Sequence, residues 1–360
     1  MQELVMHADA RPPLEFAADR PWVSVVYVTR DSYEVCRQAI EHMAAQTLAE
    51  KIEIIIVGPS PEAIGADAEQ LSAFHGWKTA DLPAGADAGG AMVAGLRVAT
   101  APVFLYGEEH SYPTENLIAE LVKAFRDGDW SAVGFGQGNA NPETWVSWAH
   151  LYAGFAPTVA PVTDGEATRL GGHHIAYRMD VLNTFGDDLA DLLDNECALI
   201  EVLRNRGHRV YRIGSAVGNH LNVARMGWFL QMEFHGQRGY AASRAESNGW
   251  PLGRRLFYAA ATPLVPFVRV ARAAAHVHRT GRSWMLPMLG PVMFAGMWAG
   301  AVGEAWGYLF SRGTSGLQKL DFELDRETYA ELNGPDAPEQ AEPAGRDERA
   351  PLPRPMQPAA

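Results

Sequence analysis

The alternation of apolar runs with amphipathic ones constrains this chain more than any other feature. From Trp22 the text WVSVVYVTRDSYEVCRQAIEHMAAQ reads as a buried strand, a turn and a helix with Val35, Ala39, Ile40 and Met43 at helical spacing. The strand KIEIIIVG follows at once. A helical segment over residues 89–99 then leads to the strand PVFLYG, the helix NLIAELVKAFRDG and the strand SAVGFG. Strands alternating with helices predict βα units and a mostly parallel sheet. Such sheets gather ligands beyond the carboxyl ends of their strands. Two polar runs stand at such ends, Thr29-Arg30-Asp31 and Glu108-Glu109-His110. The second is the more telling, because neighbouring carboxylates repel one another unless solvent or a cation relieves the charge.

Composition narrows the function. A formal net charge of −13 over 360 residues provides no basic field to displace counterions from phosphates, so no nucleic-acid partner is expected. Cys36 and Cys197 lack the spacing of a disulfide framework or a structural zinc site, which suits a reducing cytoplasm. The opening MQELVMHADARPPLEF has acidic residues and no apolar core of signal length, so export is not expected.

After a less regular middle over residues 138–170, the chain reads GGHHIAYRMDVLNTFG, a helix NECALIEVLRNRG and a strand HRVYRIGSAVGNH. Beyond His220 come two apolar stretches, LFYAAATPLVPFV and a longer one over residues 283–311 whose only charge is Glu304. The longer one exceeds the roughly 20 residues a bilayer requires. Pro287, Pro291 and Glu304 argue against one straight span. Arg254, Arg255, Arg269, Arg272, Arg279 and Arg282 flank these stretches and favour an anionic, cytoplasmic leaflet. The end of the chain, acidic and then rich in Pro, Ala and Glu, reads as a mostly disordered tail.

In order, VSVVYVTRD, IEIIIVG, GEEH, GGHHIAYR, the pair NE ahead of a helix ending RNRGHRV, and NH at 219 and 220 resemble a family-2 inverting glycosyltransferase of the GT-A fold. LYGEEHSYP with AVGFGQGNANPETWVSWA is similar to a bacterial, membrane-associated subgroup. The resemblance implies an α/β, Rossmann-like domain over residues 21–245, a mostly parallel mixed sheet flanked by helices. It also implies an N-terminal extension over 1–20, a helical membrane-associated region over 246–315 and a tail over 316–360. The implied activity moves a sugar, with inversion, from a nucleotide-diphosphate sugar to an acceptor hydroxyl, in cell-surface polysaccharide or glycolipid synthesis. Its acceptor would be lipid-linked or a polysaccharide, at the cytoplasmic face of a bacterial inner membrane.

A departing diphosphate develops negative charge, and a hard divalent cation, Mg²⁺ or Mn²⁺, stabilises it. By the resemblance, Glu109 stands where the second metal-binding carboxylate would be, and His220 matches a late histidine that completes such sites. Glu108 is expected at the ribose or a metal-bound water, and His110 as an imidazole that caps or orients rather than ligates. Glu196 takes the place of the aspartate in the family's ED pair, with Asn195 in the place of the glutamate, and is expected to be the base in the first turn of a helix. Asp194 is the nearest alternative. His173 or His174, after two glycines, would donate to sugar hydroxyls; core packing is the rival reading. Thr29 and Asp31 are expected at the nucleotide, and Trp145 and Trp148 either stack on an acceptor or fill a core. Two positions depart from the family. VGPSPE replaces an aspartate-bearing run after the second strand, and Met92 and Val93 stand where an Arg-Asn pair is usual. They set a second expectation beside the first, a non-catalytic GT-A-like binding subunit of a glycan-assembly complex.

Overall fold

The computed structural model describes residues 12–316, 318 and 326–330, so most of the expected tail and part of the N-terminal extension lie outside the described residues. Nine strands form one mixed sheet: β1 (Val23–Val28), β2 (Ile52–Gly58), β3 (Gly76–Asp81), β4 (Val103–Tyr106), β5 (Ser111–Pro113), β6 (Ala132–Asn139), β7 (Gly165–Glu166), β8 (Ile175–Arg178) and β9 (Val210–His220). Their order is β3-β2-β1-β4-β8-β6-β9-β5, with β7 on β9. The first four are mutually parallel, β8 runs antiparallel to both β4 and β6, and β9 is parallel to β6. This is the expected α/β class. Every residue of β1 and β2 is buried, as continuous apolar strands must be when helices cover both faces.

The covering helices are α1 (Glu34–Ala44), α2 (Pro61–Ile64), α3 (Ala68–Leu71), α4 (Ala88–Val98), α5 (Leu117–Asp127), α6 (Trp145–Phe155), α7 (Met179–Leu182), α8 (Leu189–Asp194) and α9 (Glu196–Asn205). Side-chain alternation along β1 sorts the core. Val23, Val25 and Tyr27 pack with Ile40 and Met43 of α1 and Leu121 and Phe125 of α5; Val26 and Val28 pack with Met92 and Leu96 of α4 and Leu199 and Leu203 of α9. Met92 and partly buried Val93 are thus core residues, which accounts for the apolar pair.

Four further helices follow: α10 (Met226–Ser247), α11 (Leu252–Ala261), α12 (Val265–Arg279) and α13 (Leu286–Leu309). With the turn before it, α13 makes a stretch Ser283–Leu309 long and apolar enough to cross a membrane by length and composition, and 39% of its most apolar window is buried. Its main partner is α10. A Cβ added to Gly303 would lie 2.1 Å from the carbonyl oxygen of Phe234, so only glycine lets the two backbones meet there. The helices share a core with α6, in which Leu151 and Tyr152 pack with Val277, Leu289, Met293 and Met297. Two of the arginines expected at a membrane are engaged within the protein. Arg279 donates to the carbonyls of Pro161 at 2.6 Å and Val159 at 2.8 Å, and Arg282 to that of Ala160 at 2.7 Å.

The parallel half of the sheet is tied by a buried carboxylate on β2. Glu53, 4% exposed, accepts from Ser24 of β1 at 2.6 Å, Lys78 of β3 at 2.5 Å, and the Thr100 amide and hydroxyl, both at 2.8 Å, just before β4. Burial pushes its pKa up, but Lys78 and the hydrogen bonds outweigh it and hold the group below the ordinary range. Removing one partner of a buried pair leaves the others unsatisfied. Glu53→Ala should therefore cost about 3 kcal/mol in denaturant unfolding, the lower end of the range, since Lys78 is partly solvated. Because the folded-state pKa is depressed, the contribution is whole above the ordinary carboxylate pKa and lost as pH falls through the depressed one. The gap between wild type and variant should narrow correspondingly in acid.

Candidate active site

The acidic turn after β4 is not solvated. Glu108, Glu109 and His110 are 5%, 6% and 3% exposed, and three histidines surround Glu108. Its Oε1 lies 3.3 Å from His173 Nδ1 and 4.0 Å from His110 Nε2, and its Oε2 lies 3.4 Å from His174 Nε2. Burial alone would raise the Glu108 pKa. The imidazoles reverse the effect, led by His173 and followed by His174 and His110, and hold it at about 2. The group is therefore ionised at any physiological pH.

Glu109 turns toward a different partner. Its Oε1 is 3.4 Å from His110 Nδ1. Burial opposes protonation of the His110 ring, yet Glu109 and then Glu108 raise its pKa above the ordinary value. Near His110, His220 ends β9 opposite Ser111 of β5, with ring centroids of the two histidines 4.9 Å apart. Burial, and after it the neighbouring His110 charge, push the His220 pKa well down, so the ring is neutral. Glu108, His110 and His220 each offer one ligand atom, all within 4.8 Å of one another. Thus Glu108 and His110 converge with His220, while Glu109 stands behind His110. The set suits a divalent cation that displaces the His110 proton on binding: an ionised carboxylate, the neutral His220 imidazole, the His110 imidazole, and a buried Oε2 on Glu108 that accepts no hydrogen bond of normal geometry.

Glu196 opens α9 and is 4% exposed. Its Oε1 accepts from the Tyr177 hydroxyl at 2.9 Å, and its Oε2 from the backbone N–H of His173. Burial raises its pKa; His173 and the two hydrogen bonds oppose that shift, and Glu108 adds to it. Asn195, not Asp194, caps the helix, its Oδ1 accepting from the Ala198 N–H. His173 itself holds φ +72°, a left-handed backbone that is rare outside glycine. That conformation points its N–H at Glu196 and leaves its half-exposed ring 3.3 Å from Glu108 Oε1 and 3.8 Å from Glu196 Oε2. His174 is buried, 2.8 Å from Ser111 Oγ and stacked on Phe135.

The remaining candidates sit elsewhere. Thr29 is buried at the end of β1, its hydroxyl donating to the Ser32 carbonyl and accepting from the exposed Asp31's N–H. Trp145 and Trp148 of α6 pack against the third core, and Arg282 lies over the Trp148 ring. Ser111 does not stand out in the sequence, and Tyr177 reads there only as part of the strand or helix start after the histidines. Period-two alternation gives the clue: Tyr177 is two residues past Ile175 on a buried strand, and Ser111 pairs with His220.

Residues 24–186 match the family described as Glycosyl transferase family 2. Among solved structures, the mannosyltransferase PcManGT from Pyrobaculum calidifontis, in complex with GDP-Man and Mn²⁺, is 17% identical, with 83% of this chain and 90% of that chain covered and a TM-score of 0.49. S. aureus TarS in complex with UDP is 13% identical, with 79% of this chain and 90% of that chain covered and a TM-score of 0.43. No curated protein matches the chain. The matched residues run from β1 through β8 and include the acidic turn and the His173–His174 loop, with Glu196 and His220 on the elements that follow. Over residues 24–186 the chain is similar to glycosyl transferase family 2, and that match lies on a mixed, GT-A-like α/β sheet.

Proposed function

We propose that the protein transfers a sugar from a nucleoside-diphosphate sugar to an acceptor hydroxyl with inversion at the anomeric carbon. The observation that carries this is the pairing of two unlike carboxylates across one imidazole, Glu108 held at about 2 and Glu196 pushed up. Environments that drive two such groups apart divide their roles. Glu108, with His110 and His220, would hold a divalent cation, which when bound supplies positive charge to a leaving diphosphate. Imidazole-rich donors favour Mn²⁺ over Mg²⁺. Glu196 is the base. The acceptor oxygen bonds to the anomeric carbon, the bond from that carbon to phosphate oxygen breaks with its electron pair leaving on the nucleoside diphosphate, and the acceptor proton passes to Glu196. Tyr177 and the His173 N–H fix the carboxylate's orientation, and the half-exposed His173 ring would donate to the sugar. Met92 and Val93 bring no charge to the donor, which favours the non-catalytic binding subunit as the second reading.

The acceptor we infer is presented at the cytoplasmic face of a membrane, as a lipid-linked sugar or a growing polysaccharide. Among the described residues, thirteen of the seventeen exposed large apolar side chains lie between Leu252 and Phe310. On and just before α13 they recur on one side, at Trp284, Met288, Trp298, Val302, Trp306 and Leu309, while Met293, Met297 and Gly300 are buried. The stripe continues onto α12 through Phe267 and Phe294, 5.3 Å apart. Residues 251–316 carry seven arginines against one carboxylate, Glu304, in a chain of net charge −13. Because α10 sets Glu233, Gln237 and Arg238 along the other side of α13, lipid cannot surround α13, and the helix lies along the surface rather than across it.

A donor screen with Mn²⁺, scored for nucleoside diphosphate release, tests the activity. Glu196→Gln should lower turnover about 10²-fold or more with donor affinity nearly kept; unchanged turnover removes Glu196 from the role, and donor binding without any turnover in wild type returns the binding-subunit reading. As a base acts only when ionised, wild-type kcat should fall as pH drops through the raised Glu196 pKa, above the ordinary carboxylate range.

Mn²⁺ titration followed by electron paramagnetic resonance should report strong weakening in Glu108→Gln and His220→Ala, and a smaller loss in Glu109→Ala, which acts through His110. Equal binding by all four proteins would remove the cation from this cluster.

The full chain should float with anionic vesicles, resist release by salt, and leave native membranes on alkaline extraction. Retention after extraction would mean that α13 crosses the bilayer.

A further inference from the structure

Behind His220 lies a closed set of amides and a hydroxyl that the reaction does not use. Asn222 is 0% exposed, His220 1% and Ser147 0%. Asn222 Oδ1 lies 3.1 Å from His220 Nδ1, and Asn222 Nδ2 donates to the backbone carbonyl of His220 at 2.8 Å and to Asn139 Oδ1 at 2.9 Å. Asn139 Oδ1 also accepts from the backbone N–H of Asn141 at 3.1 Å and the Ser147 hydroxyl at 2.8 Å. Asn141 closes the set, its Oδ1 accepting from the Asn222 N–H at 2.8 Å and its Nδ2 donating to the Asn222 carbonyl at 2.7 Å.

Backbone groups decide which way every amide faces. A backbone N–H only donates, so the Asn139 atom it meets is oxygen; a backbone carbonyl only accepts, so the Asn222 atom facing that of His220 is nitrogen. The other end of the Asn222 amide, facing His220 Nδ1, is then an oxygen that can only accept. His220 Nδ1 must carry the hydrogen, and in the neutral ring the lone pair is left on Nε2.

We propose that Asn222 is a positioning residue that fixes the Nδ1–H tautomer of His220, so that Nε2 is the nitrogen available to a cation. Asn139 and Asn141 keep its amide from turning over. The metal consequence rests on the reading of the Glu108–His110–His220 cluster given above, whereas the tautomer does not. Glu109 stands in the same relation to His110, with its Oε1 3.4 Å from Nδ1, so both imidazoles are backed by an oxygen on the same ring atom.

The test uses the metal-free full chain with ¹⁵N-labelled histidine. Long-range proton–nitrogen spectra should give His220 as the Nδ1–H tautomer in wild type. Asn222→Ala should shift it toward a mixture or toward Nε2–H. In parallel, Mn²⁺ affinity should fall about 10- to 100-fold in Asn222→Ala. A wild-type His220 protonated on Nε2 overturns the proposal without recourse to any variant, and so does an unchanged tautomer in folded Asn222→Ala. A tautomer that behaves as expected in a protein that binds no Mn²⁺ supports the role of Asn222 and overturns the metal reading alone.

Discussion

The His173 imidazole, set between two buried carboxylates, is the contact on which the site depends. Burying Glu108 and Glu196 near one another would be prohibitive if both were charged and unaccompanied. His173 faces both, its backbone N–H binds Glu196, and its left-handed backbone makes the two contacts compatible. The loop before β8, the turn after β4 and the start of α9 are thereby fixed relative to one another by a single residue. The question raised by adjacent glutamates has a physical answer of the same sort. Glu108 and Glu109 are both buried and share His110 through its two ring nitrogens, while His173 and His174 serve Glu108 alone, so the pair does not rest on one counter-charge.

The sheet supplies the rest of the precision. β9 is eleven residues long and pairs with β5, β6 and β7, so its last residue, His220, is held opposite Ser111 of β5, next to the acidic turn. Period-two alternation then turns His220 to the site and Asn219 away, where its amide donates to the Tyr112 carbonyl. An irregularity in β9 over residues 214–216, opposite the step from Phe135 to Gly136, lets β6 stay in register with both ends of β9. At the opposite edge, Glu53 gathers β1, β2, β3 and the approach to β4 around one charge. One polar tie thus holds the scaffold and another the chemistry.

Much of this was legible in the sequence, for reasons that particular elements make plain. β1, β2 and α1 could be read because continuous apolar strands and 3.6-residue spacing leave no rival pattern, and the end of β4 could be read as a site because charges there are hard to explain otherwise. β3 was not legible: GWKTAD is half exposed and polar, with none of the apolar run that marked its neighbours. α6 was hidden by being apolar nearly all round, and α10 by mixing glycine, polar and aromatic residues without a stripe. Within the site, residue types were readable and orientations were not. Which of Glu108 and Glu109 would face His220 depends on the turn between β4 and β5, and that depends on pairing with β9, about a hundred residues away.

Helix α6 touches both ends of the molecule's business. Ser147, near its start, bonds to the asparagines behind His220, and Tyr152, one turn further, donates or accepts with Thr280 at the end of α12. Arg279 and Arg282 hold the carbonyls of the segment that leaves α6. The apolar helices are therefore joined to the site by rigid packing rather than by a tether. Whatever surface covers those helices, the cluster around Glu108 and His220 stands at a set height and tilt above it. On the proposed reading, an acceptor held at that surface would reach the site only if its hydroxyl projected by that same height, and the body of the protein would act as a ruler.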